Sequence, residues 1–185
     1  LSTQVQDLCS MLLGTVTGDP DDLLLTRVPP SRLGRVAPTR PLSEDRRTGV
    51  LRGEVHDPYA HELGGFAGHA GLFGTVGGVG AFARYMLALV RGEWQRETPV
   101  PAALARTATT RSRVPGSSRG LGWDTMLPTS SCGARLSATA FGHVGFTGQR
   151  RFDDLADDDA GGAGVFLEPF RQLLVDQGLD RRSHF

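Results

Sequence analysis

The sequence of 185 residues contains no lysine, so all 20 of its basic residues are arginines. Isoleucine and asparagine are also absent, and because the three missing residues share A/T-rich codons, their absence indicates a GC-rich gene. Without lysine, these residues cannot form a Schiff base with a substrate, bind a phosphate through a P-loop lysine, or activate a serine through a lysine of their own. Arginine does not replace lysine in these roles, because its guanidinium stays protonated and cannot act as a base.

Other scarce features exclude further classes of protein. The two cysteines, Cys9 and Cys132, are too few for a disulfide framework and lack the spacing of a metal site, so they leave the redox compartment open. No apolar run approaches the roughly 20 residues that span a bilayer. The 20 acidic residues balance the 20 arginines, and we expect no nucleic-acid partner. The chain opens at Leu1 without a signal-like segment, which suggests a processed or partial product of undetermined compartment.

Glycine and proline are plentiful, with 25 and 11 residues, and the length suits one domain rich in turns. Glycine is most concentrated in the segment 64–80, where Phe66, Leu72 and Phe73 indicate a packed loop or strand and not a flexible linker. Apolar residues at helical spacing then predict a helix over 79–91 that ends at Gly92. Its apolar stripe consists of Val79, Phe82, Met86 and Leu89.

Weaker patterns predict the remaining elements. Prolines, arginines and acids make the stretch 31–62 mostly irregular, and we expect Pro58 to break any helix there. The aspartate-rich residues after Gly148 are expected to be solvated and mobile. Hydrophobic spacing predicts helices over 8–17, 23–28, 100–111 and 169–177, and strands over 121–127 and 136–147.

Residues 116–120, GSSRG, match the G-x-S-x-G pattern of a nucleophile elbow, which would make Ser118 a nucleophile. The elbow requires a strand, a sharp turn and a helix, whereas the residues that follow have strand character. The composition alone gives roughly 0.2 matches to this short pattern by chance. The alternative, which we favour, is an ordinary surface turn.

Three histidines near carboxylates, His56, His61 and His69, raise the possibility of a metal site. The five-residue gap between the first two does not align their side chains on one helical face. We therefore favour structural histidines, each hydrogen-bonded within a loop, over metal ligands.

The segment 141–148, FGHVGFTG, places glycines on both sides of His143 in a predicted edge strand. Such a strand lets a ligand approach the backbone while one polar side chain points at it. The alternative is a strand end with a hydrogen-bonded histidine.

Six segments together resemble the serine β-lactamase and penicillin-binding-protein superfamily, most closely its class C-like, β-lactamase-related esterase branch. Their order and rough spacing are similar to the C-terminal half of such a domain, and the resemblance covers about residues 5–148. The segments are 35–39 (RVAPT), 53–60 (GEVHDPYA), 64–73 (GGFAGHAGLF), 81–86 (AFARYM), 120–124 (GLGWD) and 141–148.

The resemblance implies roles for five residues of the last segment. His143 stands at the first position of the family's Lys-Thr-Gly box and would hold a substrate carboxylate or assist proton transfer. Val144, Gly145 and Thr147 would contact substrate, with Gly145 giving the acyl group room. The backbone N–H of Phe146 would donate to the oxyanion, where a fixed donor lowers the barrier by several kcal/mol.

The sequence also departs from the family's pattern. The family's nucleophile is the serine of Ser-x-x-Lys, which a lysine-free sequence cannot contain. Val5 occupies the position of the second motif's tyrosine, and valine has no proton to exchange. After Gly148 the family continues with an apolar strand pair, whereas this chain has arginines and aspartates. We therefore expect the chain alone to be inactive.

Together, these observations predict a fold class, a domain organisation and a function. The fold class is α/β (α+β), a partial β-lactamase-like fold with an antiparallel sheet flanked by helices. Residues 1–148 form the C-terminal portion of the hydrolase domain, and 149–185 a divergent acidic tail with a short amphipathic helix. The expected function is hydrolysis of a small ester, amide or β-lactam through an acyl-serine intermediate, with no cofactor and no metal.

Two alternatives to this function stay open. One is a non-catalytic β-lactamase-like protein that keeps the cleft for binding. The other is an independent hydrolase that uses Ser118 with His143 and an aspartate. The residues do not determine the substrate or the oligomeric state.

Overall fold

The computed structural model describes residues 12–13, 16, 24–38, 51–128, 136–144 and 150–153. The chain divides into two compact units, the first comprising Leu1–Phe82 with Glu97–Pro99 and the second Ala83–Arg96 with Val100–Phe185. Helices accompany small antiparallel sheets, so the mixed α/β class is confirmed. Of the predicted helix over 8–17, Leu12, Leu13 and Val16 are described and are helical. The predicted terminal helix over 169–177 lies outside the described residues.

The first unit contains a two-stranded antiparallel sheet. Strand β1, Leu24–Leu25, pairs with strand β2, Phe73–Gly74. The prediction of a helix over 23–28 is therefore wrong. The run before Pro29 is too short to offset the cost of helix nucleation, and proline favours an extended residue before it.

Two short helices interrupt the stretch that was predicted to be mostly irregular. A 3₁₀ helix covers Pro30–Arg35, and helix α1 covers Pro58–Glu62. The expectation that Pro58 breaks any helix was wrong, because Pro58 stands in the first turn of α1, where a missing N–H leaves no helical hydrogen bond unmade. Asp57 caps α1, its Oδ1 accepting the backbone N–H of Ala60 at 2.7 Å.

The glycine-rich segment is packed, as predicted. Ala67 and Ala70 form a backbone bridge across a tight turn, with an N–H to oxygen distance of 2.9 Å in one direction. Ala67 also belongs to a small apolar cluster with Val55 and Ala60, against which Ala70 packs. Of the three apolar residues on which the prediction depended, Phe66 is buried and Phe73 half-buried, whereas Leu72 is 50% exposed. This burial distinguishes the segment from a linker.

Helix α2, Val76–Arg91, begins three residues before its predicted start. Thr75 explains the earlier start, because its hydroxyl oxygen accepts the N–H of Gly78 at 3.1 Å. The predicted end is confirmed: Gly92 has a φ of 81° and donates its N–H to the carbonyl of Leu89 at 3.1 Å. Of the predicted stripe, Met86 and Leu89 are buried, whereas the two residues nearer the start of α2 are half-buried.

The second unit contains helix α3, Ala102–Thr109, and a three-stranded antiparallel sheet. The sheet has the order β3–β4–β5, with β3 at Asp124–Thr125, β4 at Phe141–Val144 and β5 at Arg150–Asp153. Both predicted strand regions thus contain strands, although shorter ones. The prediction that His143 lies on an edge strand is wrong, because β4 is paired on both sides, with β3 and with β5. Strand β5 gives β4 a partner in the region where the sequence departs from the family's pattern. The proposed boundary at 148 stays a prediction.

Aromatic contacts mark the interior of the second unit. Tyr85 and Trp94 make an edge-on contact with ring centres 4.7 Å apart, and Arg96 lies over the Trp94 ring at 4.4 Å. Trp123 packs edge-on against Phe141 at 5.1 Å. Across the described ranges, none of the helices combines the length and apolar character needed to cross a membrane.

Candidate functional site

Strand β4 carries the one predicted site residue whose side chain the structure places. His143 is exposed, and its Cα is paired with that of Arg151 on β5. Side chains alternate between the two faces of a strand, so His143 lies on the same face as Phe141. Phe141 is only 1% exposed and contacts Trp123, which anchors this strand. The fold therefore holds the backbone at β4 while leaving the imidazole of His143 accessible to a ligand.

The other predicted site residues follow His143 along the chain. Val144 is the last residue of β4, and its Cα is paired with that of Arg150. Gly145, Phe146 and Thr147 lie outside the described residues. The oxyanion role of the Phe146 N–H and the substrate contacts of the other residues therefore stay predictions.

Strand β3, next to β4, contains a nearly buried carboxylate that the sequence analysis missed. Asp124 Oδ1 accepts the hydroxyl of Ser118 at 3.0 Å, and Asp124 Oδ2 lies 3.2 Å from a guanidinium nitrogen of Arg119. The Asp124 side chain is 11% exposed. A charge this buried requires such partners, because an unpaired carboxylate in this position would be strongly destabilising.

This arrangement decides how residues 116–120 are to be interpreted. The hydroxyl of Ser118 donates to a carboxylate, and the segment leads into β3, whereas a nucleophile elbow leads into a helix. The surface-turn interpretation is confirmed. Asp124 is paired with Gly142, so the alternation of faces directs its side chain away from the face that carries His143. Ser118, His143 and Asp124 consequently do not form a catalytic triad.

A second set of bonds closes the same loop onto β3. Arg111 Nε donates to Thr125 Oγ1 at 2.9 Å, and that hydroxyl donates to the carbonyl of Ser118 at 2.8 Å. Arg111 also donates to the carbonyl of Met126. The loop 111–126 is thus tied at its start, its middle and its end. It supports the strand next to the candidate site without contributing a nucleophile.

The first unit contains another charged constellation, formed by Asp57 and His69. His69 Nε2 lies 3.0 Å from Asp57 Oδ1, the oxygen that also caps α1. The two side chains are 55% and 32% exposed for histidine and aspartate, respectively. The Ala60 N–H, and next to it the His69 hydrogen bond, lower the pKa of Asp57 below its ordinary value of 3.8. The pair therefore forms a solvent-accessible aspartate–histidine couple.

This couple accounts for one of the three histidines considered as metal ligands. The described portion of the chain brings no three histidine, cysteine or acidic side chains together in a metal-binding arrangement. His69 instead bonds Asp57, in agreement with the structural interpretation. The sequence Asp57-Pro58 could have predicted the helix start, since aspartate at the cap and proline after it are a known signal. The pairing with His69, twelve residues later, has no comparable local signal.

Part of the chain is similar to curated proteins from Escherichia coli. It is 36% identical over 108 residues to a protein of strain K12 named "Putative D-alanyl-D-alanine carboxypeptidase", and 34% identical over 108 residues to a protein of the same name from O157:H7. Each match covers 55% of this chain and 24% of the relative, so the similarity spans about a quarter of those proteins. No protein-family model matches the chain, and no solved structure matches it.

Proposed function

We propose that the chain forms part of a serine hydrolase related to β-lactamases and penicillin-binding proteins. The observation that carries the proposal is the similarity to two proteins named as D-alanyl-D-alanine carboxypeptidases, an activity that belongs to this superfamily. The resemblance of six ordered segments supports the same class. The reaction would be acyl transfer from an amide or ester to a serine, followed by hydrolysis of the acyl-enzyme.

Strand β4 would form one wall of the cleft in this hydrolase. An exposed imidazole on a strand that is held by buried Phe141 suits a group that contacts substrate. His143 would bind a carboxylate or move a proton, and the N–H of Phe146 would stabilise the oxyanion. Substrates would be small amides or esters, including peptides that end in D-alanine and β-lactams.

The nucleophile and the lysine that activates it must then come from residues other than these 185, because this sequence contains no lysine. The purified chain should hydrolyse neither nitrocefin nor p-nitrophenyl acetate nor a peptide ending in D-Ala-D-Ala. The matched control is His143→Ala, which should give the same background rate. Turnover that persists through purification and is lost in His143→Ala would contradict this part of the proposal.

A chimera tests the positive part of the proposal. The matched 108-residue stretch of this chain would replace its counterpart in the K12 relative, and acylation by a fluorescent penicillin would be followed on a gel. We expect labelling, because the remaining three quarters of the relative would supply the nucleophile. The native relative serves as the positive control. A chimera that folds by circular dichroism but is not labelled would count against the proposal.

The second candidate is a non-catalytic protein that uses the cleft only for binding. The absence of lysine and the presence of Val5 at the family's tyrosine position favour it. It predicts an unlabelled chimera and a chain that binds a D-Ala-D-Ala peptide without cleaving it. Labelling of the chimera therefore separates the two candidates, and equilibrium binding of the peptide to the chain and to His143→Ala tests whether the cleft binds at all.

A further inference from the structure

The first unit contains a cavity of about 320 Å³ that includes none of the residues assigned to the candidate site. Its side-chain lining comes from Thr26, Arg27, Glu54, Val55, His61 and Phe73. Ligand pockets in proteins begin at about this volume, and a water molecule takes up only about 30 Å³ of liquid. The cavity is therefore of a size for a molecule as large as an amino acid or a dipeptide.

Two opposite charges line this cavity. Arg27 and Glu54 are both exposed, and within the part of the chain that the structure describes neither is joined to another group by a hydrogen bond or ion pair. A guanidinium presents donors in a fork that matches a carboxylate, and a glutamate accepts hydrogen bonds from an ammonium group. Both groups are thus available to a ligand that carries both charges.

The remaining lining is mainly apolar or lacks side chains. Val55 is buried and Phe73 half-buried, so both present hydrocarbon surface at the wall. Gly64 and Gly65 have φ values of 95° and 94°, and a Cβ at either would meet nothing within 4 Å. These glycines form part of the wall with backbone alone, which leaves the space open. Thr26 and His61, both half-buried, add a hydroxyl and an imidazole.

We propose that this cavity binds a small zwitterion with an apolar body, namely an apolar amino acid or a short dipeptide. The carboxylate binds Arg27, the ammonium group binds Glu54, and the apolar part packs against Val55 and Phe73. Opposite charges and hydrocarbon surface in one cavity are the features that such a ligand requires. This binding site does not depend on the proposed hydrolase activity.

Isothermal titration calorimetry with three related probes tests the proposal. Leucine carries both charges, leucinamide lacks the carboxylate, and 4-methylpentanoate lacks the ammonium group. Leucine should bind the intact chain at least about tenfold more tightly than either analogue, because each analogue loses one charge-assisted hydrogen-bonding group. The proposal would be overturned if leucine and 4-methylpentanoate bound with equal affinity. It would also be overturned if neither leucine nor leucyl-leucine bound at roughly 10 mM.

Charge-removing variants assign each interaction to its residue. Arg27→Gln should weaken the binding of leucine and of 4-methylpentanoate about tenfold and leave the binding of leucinamide unchanged. Glu54→Gln should weaken the binding of leucine and of leucinamide and leave that of 4-methylpentanoate unchanged. The matched controls are Arg35→Gln and Glu62→Gln, which remove exposed charges that do not line the cavity. All four positions are exposed, so the variants should fold, as circular dichroism will verify. Equal losses in the control variants would refute the assignment.

Discussion

Each unit contains a loop that is anchored by an aspartate, yet the two anchors differ in burial. Asp57 accepts a hydrogen bond from a backbone N–H and is hydrogen-bonded to the imidazole of His69, and its side chain is 32% exposed. Asp124 accepts a hydrogen bond from the Ser118 hydroxyl and forms an ion pair with Arg119, and its side chain is only 11% exposed. Water can replace lost partners at the first site far better than at the second. The comparison teaches that burial decides how much stability is lost when such an anchor is removed.

Each loop also passes a glycine that has no room for a methyl group. A Cβ on Gly71 would lie 2.7 Å from the Phe66 Cα, and the carbonyl of Gly65 is closer still. A Cβ on Gly120 would collide with the carbonyl of Ala108 and lie 3.0 Å from that of Thr110. In both loops the obstacle is backbone, which cannot move aside as a flexible side chain can.

The largest expected effect is that of Gly71→Ala. Gly71 has a φ of 107°, so alanine adds backbone strain to the collision, and together they should cost roughly 2–5 kcal/mol of unfolding free energy. Urea unfolding followed by circular dichroism measures this loss. The matched control is Gly68→Ala, where a Cβ meets nothing within 4 Å. Similar losses in the two variants would show that the close approach at Gly71 does not occur.

Asp124→Ala should have the next largest effect. It removes the acceptor of the Ser118 hydroxyl and one end of the Arg119 ion pair, at a cost of about 2 kcal/mol. The loss stays moderate because Arg119 is 64% exposed and remains hydrated. Ser118→Ala, which removes the donor instead, should cost about 1 kcal/mol. A loss below about 0.5 kcal/mol for Asp124→Ala would contradict the comparison of the two anchors, since surface substitutions fall in that range.

Asp57→Ala should cost less than Asp124→Ala, at about 1 kcal/mol, because it removes the cap of the short helix α1. Asp57→Ser separates the two roles of the residue. Serine can cap the helix but does not pair with His69 as a carboxylate does, so most of the stability should return. If Asp57→Ser proves as unstable as Asp57→Ala, the exposed pair with His69 matters more than the cap.

The smallest effect is a pH dependence. The folded-state pKa of Asp57 is lowered, so its contribution to stability is complete above the ordinary carboxyl pKa and is lost as the pH falls through the lower folded value. Below about pH 4, wild-type protein should therefore lose stability more steeply than Asp57→Asn. Thermal unfolding at pH 7, 5, 4 and 3 checks the slope. If the stability of the two proteins falls with pH at the same rate, the titration of Asp57 does not contribute to stability as proposed.

Local patterns predicted the elements whose signals lie within one segment. The end of α2 at Gly92, the weaker α3 and the packed glycine-rich segment were all predicted, because helical periodicity and glycine position report directly on local conformation. Strand β1 and helix α1 were not predicted. A two-residue strand exists only because a partner lies beside it, and the rule that proline breaks helices was applied at a position where it does not hold.

In the candidate site, too, local patterns predicted some features, whereas contacts between separate segments were not predicted. The pattern around His143 predicted a polar side chain on an edge strand; the structure confirms the strand and the exposure of the imidazole, but β4 is the central strand of its sheet. The pairs Asp57–His69 and Ser118–Asp124 join residues twelve and six positions apart, and neither separation is the three or four residues at which side chains of one helix meet. Such contacts depend on how loops close, which a linear pattern does not report.

By itself, the sequence determined which chemistry these residues exclude. Lysine is absent, so no lysine-activated serine can form among them, whatever the fold. Only the tertiary structure decided what Ser118 does: packing brings Asp124 to its hydroxyl and leaves His143 on the other face of the sheet. The physical reason is that side-chain chemistry belongs to each residue, whereas hydrogen-bond partners and burial arise when distant segments exclude water together.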